Sequence, residues 1–112
     1  MDTSPFLPLS PKEFHILLAL ADEPRNGYQV GLRVETNSES RIRLSPATQF
    51  TILHRLVGKA LIEEAPDVAT DQSNGRKQRF WTLSSLGRGV LRDEAERLAS
   101  DAKLALALAP RP

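Results

Sequence analysis

Apolar residues recur every three or four positions in four stretches of the chain, which predicts four helices. We expect these helices over residues 11–21, 27–36, 45–62 and 84–108. A polar residue able to cap a helix N-terminus precedes each stretch, namely Ser10, Asn26, Ser45, and either Ser84 or Ser85. The third stretch combines such a cap with an apolar stripe and a polar face that carries no acidic residue.

Three shorter stretches alternate between polar and apolar residues, a pattern typical of strands. They occupy residues 41–44, 61–65 and 78–83. The last two are separated by a turn-rich segment, so they predict a hairpin with a long tip. The order of the elements is helix, helix, strand, helix, hairpin and long helix. It predicts a mainly α fold with a small β-hairpin, a winged helix-turn-helix whose wing is the hairpin.

The 112 residues suit one folded domain with an extension at each end. We expect a loose arm over residues 1–9, the winged helix-turn-helix over 10–83 and a long C-terminal helix over 84–109. The last helix is too long for a small core to cover, so its apolar stripe needs a partner. We expect a second copy of the chain to bury it, in a two-fold dimer, through Leu91, Ala95, Leu98, Ala102 and Ala105.

The net charge of +1 gives no indication of a nucleic-acid partner, but the basic residues are grouped. Residues 41–62 hold Arg41, Arg43, Arg55 and Lys59 and no acid. Residues 72–92 hold Arg76, Lys77, Arg79, Arg88 and Arg92 and no acid. Solvated surface is one interpretation of these groups. A DNA-binding surface is an equally good interpretation, because the two groups flank the predicted wing.

The helix predicted at residues 45–62 has one apolar face and one polar face without acidic residues, as a helix that enters a DNA major groove needs. Glutamine pairs well with adenine and arginine with guanine, although the sequence assigns no base to either. Our candidate DNA contacts are Tyr28, Gln29, Arg43, Thr48, Gln49, Thr51, His54, Arg55, Lys59, Asn74, Arg76, Lys77 and Arg79. Two aromatic residues have alternative interpretations. Tyr28 either packs or contacts phosphate, and Phe50 either belongs to the core or contacts a sugar or a thymine methyl group.

Other classes of protein find little support in the sequence. The chain has no cysteine and two histidines, which argues against a metal site. No nucleophile, phosphate-binding or paired-carboxylate motif is present, so we expect neither an enzyme nor a cofactor. The N-terminus lacks the features of a signal peptide, and no apolar stretch is long enough to cross a bilayer. We therefore expect a cytoplasmic protein.

Several segments resemble the PadR family of transcriptional regulators. Residues 14–30, with Asn26-Gly27-Tyr28-Gln29-Val30, are similar to its first two helices. Leu44-Ser45-Pro46-Ala47-Thr48-Gln49-Phe50 resembles the entry to its recognition helix. Residues 76–83 and then Leu86-Gly87 are similar to its wing and the start of its last helix. The resemblance covers about residues 9–98 and indicates the small subtype, which dimerises through a single C-terminal helix.

This resemblance implies a homodimer that binds double-stranded DNA and represses transcription. We expect a near-palindromic operator with half-sites about 34 Å apart. The chain departs from the family pattern at Phe50, often a tyrosine, and at Ala47 and Ala60, often glycines. Some relatives bind flat aromatic compounds between subunits through an aromatic residue on the last helix. That helix has none here, so we do not expect an effector to stack there, and any effector is undefined.

Two rival functions stay open at this point. The first is a winged-helix module that binds another protein, because the fold alone does not specify DNA. The second is a small-molecule sensor with weak DNA binding.

Overall fold

A computed structural model of the protein describes residues 2–65, 79–109 and 111–112. The helices within these ranges are α1 (Pro11–Ala19), α2 (Gly27–Asn37), α3 (Pro46–Gly58) and α4 (Ser85–Leu108), and a 3-10 turn at Ser4–Phe6 precedes them. The strands are β1 (Arg25–Asn26), β2 (Ile62–Glu64) and β3 (Phe80–Leu83). The predicted fold class, mainly α with a small antiparallel sheet, is confirmed.

The helices begin at the polar residues that the sequence indicates. The Ser10 side chain accepts a hydrogen bond from the N–H of Glu13, whose carboxylate accepts one from the N–H of Ser10. Asn26 and Gln29 form the same reciprocal pair at the start of α2. Ser84 caps α4. These bonds satisfy N–H groups that a helix start leaves open, which is why local sequence is sufficient to predict them.

The sheet differs from the prediction by one strand. Residues 41–44 form no strand but a loop, whose two apolar residues pack on the core while its two arginines stay exposed. The third strand is β1, and the antiparallel order is β1-β3-β2, with Arg25 opposite Trp81. The prediction of a strand at residues 41–44 is therefore wrong. An alternating pattern specifies which side chains are buried, but a strand also needs a partner edge, and β1 occupies that edge of β3.

α3 ends at Gly58 and not at residue 62 as predicted. Ala60 adopts a left-handed conformation with φ of 61°. Its N–H donates to the carbonyl of Val57 at 2.9 Å, and the N–H of Leu61 donates to the carbonyl of Leu56 at 3.0 Å. This pair of bonds is a Schellman C-cap. It reverses the chain, so that β2 begins directly after α3.

The core lies where α1, α2 and α3 meet the first half of α4. Its fully buried apolar residues include Ile16, Leu17, Leu20, Val30, Val34, Leu56, Leu61 and Val90. The start of α4 is fixed to the turn after α3, because the N–H of Ser84 donates to the carbonyl of Leu61 at 3.1 Å. A Cβ atom at Gly87 would lie only 1.9 Å from the same oxygen. Only glycine allows this close approach between α4 and the α3–β2 turn.

The N-terminal arm, which we expected to be loose, packs against α4. The N–H of Leu9 donates to the buried carboxylate of Glu94 at 2.6 Å. The Thr3 hydroxyl donates to Asp93, and Phe6 packs against the core. These contacts make residues 2–9 part of the folded unit.

The second half of α4 projects away from this core. Every residue from Ala95 to Leu108 is exposed, including Leu98, Leu104, Leu106 and Leu108. The projection gives the molecule a longest extent of 57 Å. In the part of the chain that the structure describes, no helix combines the length and apolarity that crossing a bilayer requires.

Candidate nucleic-acid interface

α3 divides its residues between the core and an outer face. Ser45 caps the helix by accepting a hydrogen bond from the N–H of Thr48 at 3.2 Å. Ile52, Leu53 and Leu56 are buried. The exposed positions of the helix that are relevant to binding are Phe50, Thr51, His54 and Arg55. The outer face of the helix therefore carries two aromatic rings, a hydroxyl group and a cation.

Several polar residues of α3 that we predicted to contact DNA use their polar atoms inside the protein. The Ser45 hydroxyl donates to the Thr48 hydroxyl at 3.0 Å. The Thr51 hydroxyl donates to the carbonyl of Ala47 at 3.0 Å. Because of these bonds, the hydroxyl groups of Thr48 and Thr51 are less available for hydrogen bonds to base edges than the sequence suggested.

Gln49 faces α2 and not the outer face. Its side-chain amide donates to the carbonyl of Gly27 at 2.6 Å. A Cβ atom at Gly31 would lie 2.9 Å from the Gln49 side-chain oxygen, so this glycine leaves room for the amide. We therefore correct our assignment of Gln49 as a base-contacting residue, because it joins the two helices of the helix-turn-helix.

Two candidates at the start of α2 have different environments. Tyr28 is 76% exposed, so packing in the core is not its role. Gln29 is exposed too, but its side chain accepts the capping hydrogen bond from the N–H of Asn26 at 3.1 Å. Tyr28 is thus free to contact a partner, whereas Gln29 already stabilises the helix start.

Two of the candidate cations form ion pairs with carboxylates. Arg43 lies 3.1 Å from a carboxylate oxygen of Glu35. Lys59 lies 3.6 Å from a carboxylate oxygen of Glu13. Burial raises the pKa of Glu13, but the hydrogen bonds from Ser10, with Lys59 and Arg55 nearby, outweigh it and leave the pKa below its usual value. Glu13 is therefore ionised, and Lys59 belongs to the contact between α1 and the end of α3.

Other cations on this side of the molecule have no such partner. Within the described residues, no carboxylate forms an ion pair with Lys12, Arg55 or Arg79. Lys12 and Arg55 line one cleft of about 350 Å³ between the start of α1 and α3, together with Thr48 and Thr51. Within the described residues, neither cation of this cleft forms an ion pair, so the cleft suits an anionic group such as a DNA phosphate.

A larger groove of about 720 Å³ lies between α2, α3 and β3. Its apolar lining includes Tyr28, Leu32, Phe50 and Trp81, and Arg79 stands at the start of β3. This groove and the smaller cleft lie on opposite sides of the outer face of α3. Basic groups thus border that face on both sides.

The sequence model of a family described as "Transcriptional regulator PadR-like family" matches residues 16–93, which is more than half of the chain. The chain belongs to the PadR-like family of transcriptional regulators. The resemblance that the sequence motifs indicated is confirmed.

Individual proteins are similar to this chain in sequence or in fold. An uncharacterised protein of Lysinibacillus sphaericus is 26% identical over 76 residues, covering 68% of this chain and 67% of that protein. A PadR family transcription regulator from Clostridium difficile R20291 has a TM-score of 0.73 at 19% identity, covering 88% of this chain and 98% of that one. Bacillus subtilis PadR in complex with operator DNA has a TM-score of 0.64 at 19% identity, covering 77% of this chain and 47% of that one. At these identities the two structures establish a shared fold.

The predicted wing of this PadR-like protein is described only in part. Three of the candidate DNA contacts, Asn74, Arg76 and Lys77, lie outside the described residues. Arg79 is described and is exposed at the entry to β3. Among the described residues, Arg79 is therefore the cation of the predicted wing that lines the groove between α2, α3 and β3.

The candidate dimer residues of this PadR-like protein do not share one environment. Ala95, Leu98, Ala102 and Ala105 are exposed on the projecting part of α4. Leu91 is only 9% exposed, because it packs in the core of its own chain. We therefore correct the predicted stripe, which begins at Ala95.

Lys12 lines the smaller cleft and is not among the candidate contacts predicted from the sequence. It lies in the first turn of α1, where the helix dipole disfavours a positive charge. A lysine at such a position is a weak sequence signal that its charge serves something other than helix stability.

In residues 2–65 and 79–109, no group of three or more His, Asp or Glu side chains is arranged to hold a metal ion. Burial and the nearby charge of Arg41 lower the pKa of His15, which makes the imidazole neutral at pH 7.

Proposed function

We propose that this PadR-like regulator binds double-stranded operator DNA as a homodimer and represses transcription. The observation that carries the proposal is the outer face of α3, bordered by the unpaired cations Lys12, Arg55 and Arg79. The α3 helix enters the major groove, and the cations contact the phosphates on either side. The family assignment supports a role in transcription, and one structural neighbour was solved with operator DNA.

The homodimer is proposed from the exposed end of α4. Leucines such as Leu98 and Leu106 lie on a helix that extends beyond its own core. Exposed apolar side chains in this number indicate an interaction surface, and two-fold pairing of identical chains is the commonest way to cover one. A two-fold dimer presents two α3 helices, so we propose a near-palindromic operator with half-sites about 34 Å apart. A cytoplasmic location follows from the proposed role and also stays a prediction.

The decisive experiment is selection of bound duplexes from a random DNA pool, followed by fluorescence anisotropy with the recovered sequence. Recovery of a near-palindrome, together with affinity that falls steeply as salt rises, would support the proposal. Recovery of no preferred sequence, or binding that ignores ionic strength, would favour the rival protein-binding module.

The second rival, a small-molecule sensor, has one observation in its favour. The groove of about 720 Å³ has a volume typical of ligand sites, although it lies on the face that we assign to DNA. A sensor would show a saturable rise in melting temperature with a small molecule, and the recovered duplex would have little effect. A larger rise with the duplex would support the DNA-binding function.

A further inference from the structure

Phe50 is a large apolar side chain that the fold leaves in water. It is 63% exposed, although the neighbouring core residues of α3 are buried. Its ring contacts the imidazole of His54, with ring centroids 4.1 Å apart and an interplanar angle of 43°. Each ring excludes some rotamers of the other, which lowers the side-chain entropy lost on binding. The two rings form one aromatic surface on the outer face of the helix, and Phe50 is its apolar part.

The polar residues next to this ring pair offer few groups to base edges. Gln49 and Thr51 each donate their hydrogen bond inside the protein. Thr48 accepts one from the Ser45 hydroxyl. The groups that the outer face of α3 offers to a partner are therefore mainly the Phe50 ring, the His54 imidazole and the Arg55 cation.

The charges around the ring indicate what kind of partner covers it. Arg79 lines the same groove as Phe50, and Arg55 lies on the other side of the helix face. A ring bordered by free cations is complementary to an apolar group that is itself surrounded by phosphates. In the DNA major groove that group is the C5-methyl of thymine, which cytosine lacks.

We infer that Phe50, held by His54, contacts the C5-methyl group of one thymine in each operator half-site. This inference rests on the proposed function. Phe50 then determines sequence preference at one base pair, while the cations determine affinity without regard to sequence.

The test uses the duplex recovered by selection and replaces each thymine of one half-site in turn by deoxyuridine, which removes only the methyl group. Anisotropy titrations should show one position where the full-length protein binds the deoxyuridine duplex about fourfold more weakly, the ratio expected for burying one methyl-sized group. Phe50→Ala should bind the thymine duplex more weakly and show a ratio near one at that position.

Val57→Ala is the matched control, since Val57 is another exposed apolar residue of α3 and does not line the groove. It should keep the fourfold ratio. Equal binding of thymine and deoxyuridine duplexes by the unmodified protein at every position would overturn the inference, with DNA binding itself intact. A fourfold ratio that persists in Phe50→Ala would overturn it as well. Failure to recover any duplex would remove the proposed function and this inference with it.

Discussion

The side-chain amide of Gln49 donates a hydrogen bond to the main-chain carbonyl of Gly27 at 2.6 Å, which ties α3 to the start of α2. Two glycines of α2 make the contact feasible. A Cβ atom at Gly27 would lie 3.1 Å from the Gln49 amide nitrogen, and one at Gly31 would lie 2.9 Å from its oxygen. The two helices are therefore joined by a polar contact as well as by the apolar core.

The first prediction is that Gln49 and Gly31 are energetically coupled. Gln49→Ala removes the hydrogen bond and should lower the free energy of unfolding by about 1 kcal/mol. Gly31→Ala should be nearly neutral alone, because its methyl group displaces the amide while the alanine favours the helix. In the Gln49→Ala background the same change should stabilise by about 1 kcal/mol. The double-mutant cycle is measured by urea denaturation of the unmodified protein, the two single variants and the double variant. Strictly additive changes in the free energy of unfolding would contradict the coupling.

The outcome at Gln49 illustrates which features a sequence can specify. Caps such as Ser10 and Asn26 were predicted correctly because each bonds to a residue three positions away. The direction of Gln49 depends on a residue in another helix, and no local pattern encodes that. The expected strand at residues 41–44 failed for the same reason, since its pairing depended on a distant edge. Lys12 was missed because its neighbour Arg55 is close only in the folded chain.

The second prediction concerns the left-handed residue that ends α3. Ala60 has φ of 61°, a conformation that costs an L-residue roughly 1–2 kcal/mol and costs glycine little. Ala60→Gly should therefore raise the free energy of unfolding by about 1 kcal/mol, after allowance for the greater freedom of glycine in the unfolded chain. Ala47→Gly is the control, because Ala47 lies within the first turn of α3 and should lose up to about 1 kcal/mol. Stabilisation by both changes, or by neither, would show that the cap is not strained.

The third prediction is a pH dependence of stability that arises from Glu94. The carboxylate is 1% exposed, and the hydrogen bond from Arg97, with one from the N–H of Leu9, lowers its pKa against the opposing effect of burial. A lowered folded-state pKa stabilises the fold at pH values above the unfolded value of about 4.3. This stabilisation is lost as the pH falls further, through the folded-state pKa.

Glu94→Gln should lower the free energy of unfolding at pH 7 by roughly 1.5–3 kcal/mol, since hydrogen bonds to a charged group are lost. It should also flatten the decline of stability below pH 5. Glu96→Gln changes an exposed carboxylate on the same helix and should leave both the stability at pH 7 and the decline nearly unchanged. The measurement is urea denaturation at several pH values, and an unaltered acid slope in Glu94→Gln would rule out this account.

The fourth prediction tests the proposed dimer. Leu98 is 40% exposed at the centre of the stripe that Ala95, Ala102 and Ala105 continue. Leu98→Glu places a charge inside the proposed interface, where burial without a partner is costly, so the protein should sediment as a monomer. Ser100→Glu adds the same charge about 200° around the helix and should remain a dimer. A Leu98→Glu protein that still sediments as a dimer would locate the interface elsewhere.

The fifth prediction tests whether Lys12 and Arg55 contact DNA phosphates. Lys12→Ala should weaken binding to all duplexes by a similar factor, because its cleft suits a phosphate. The slope of log Kobs against log salt should become shallower by about 0.9 for each lost contact, hence by roughly 1.8 for a dimer. Arg55→Ala should produce the same change in slope and leave the dimer intact. Lys103→Ala removes an exposed lysine from the far part of α4 and should alter neither affinity nor slope. An unchanged slope in Lys12→Ala would mean that the cleft at the start of α1 holds no phosphate.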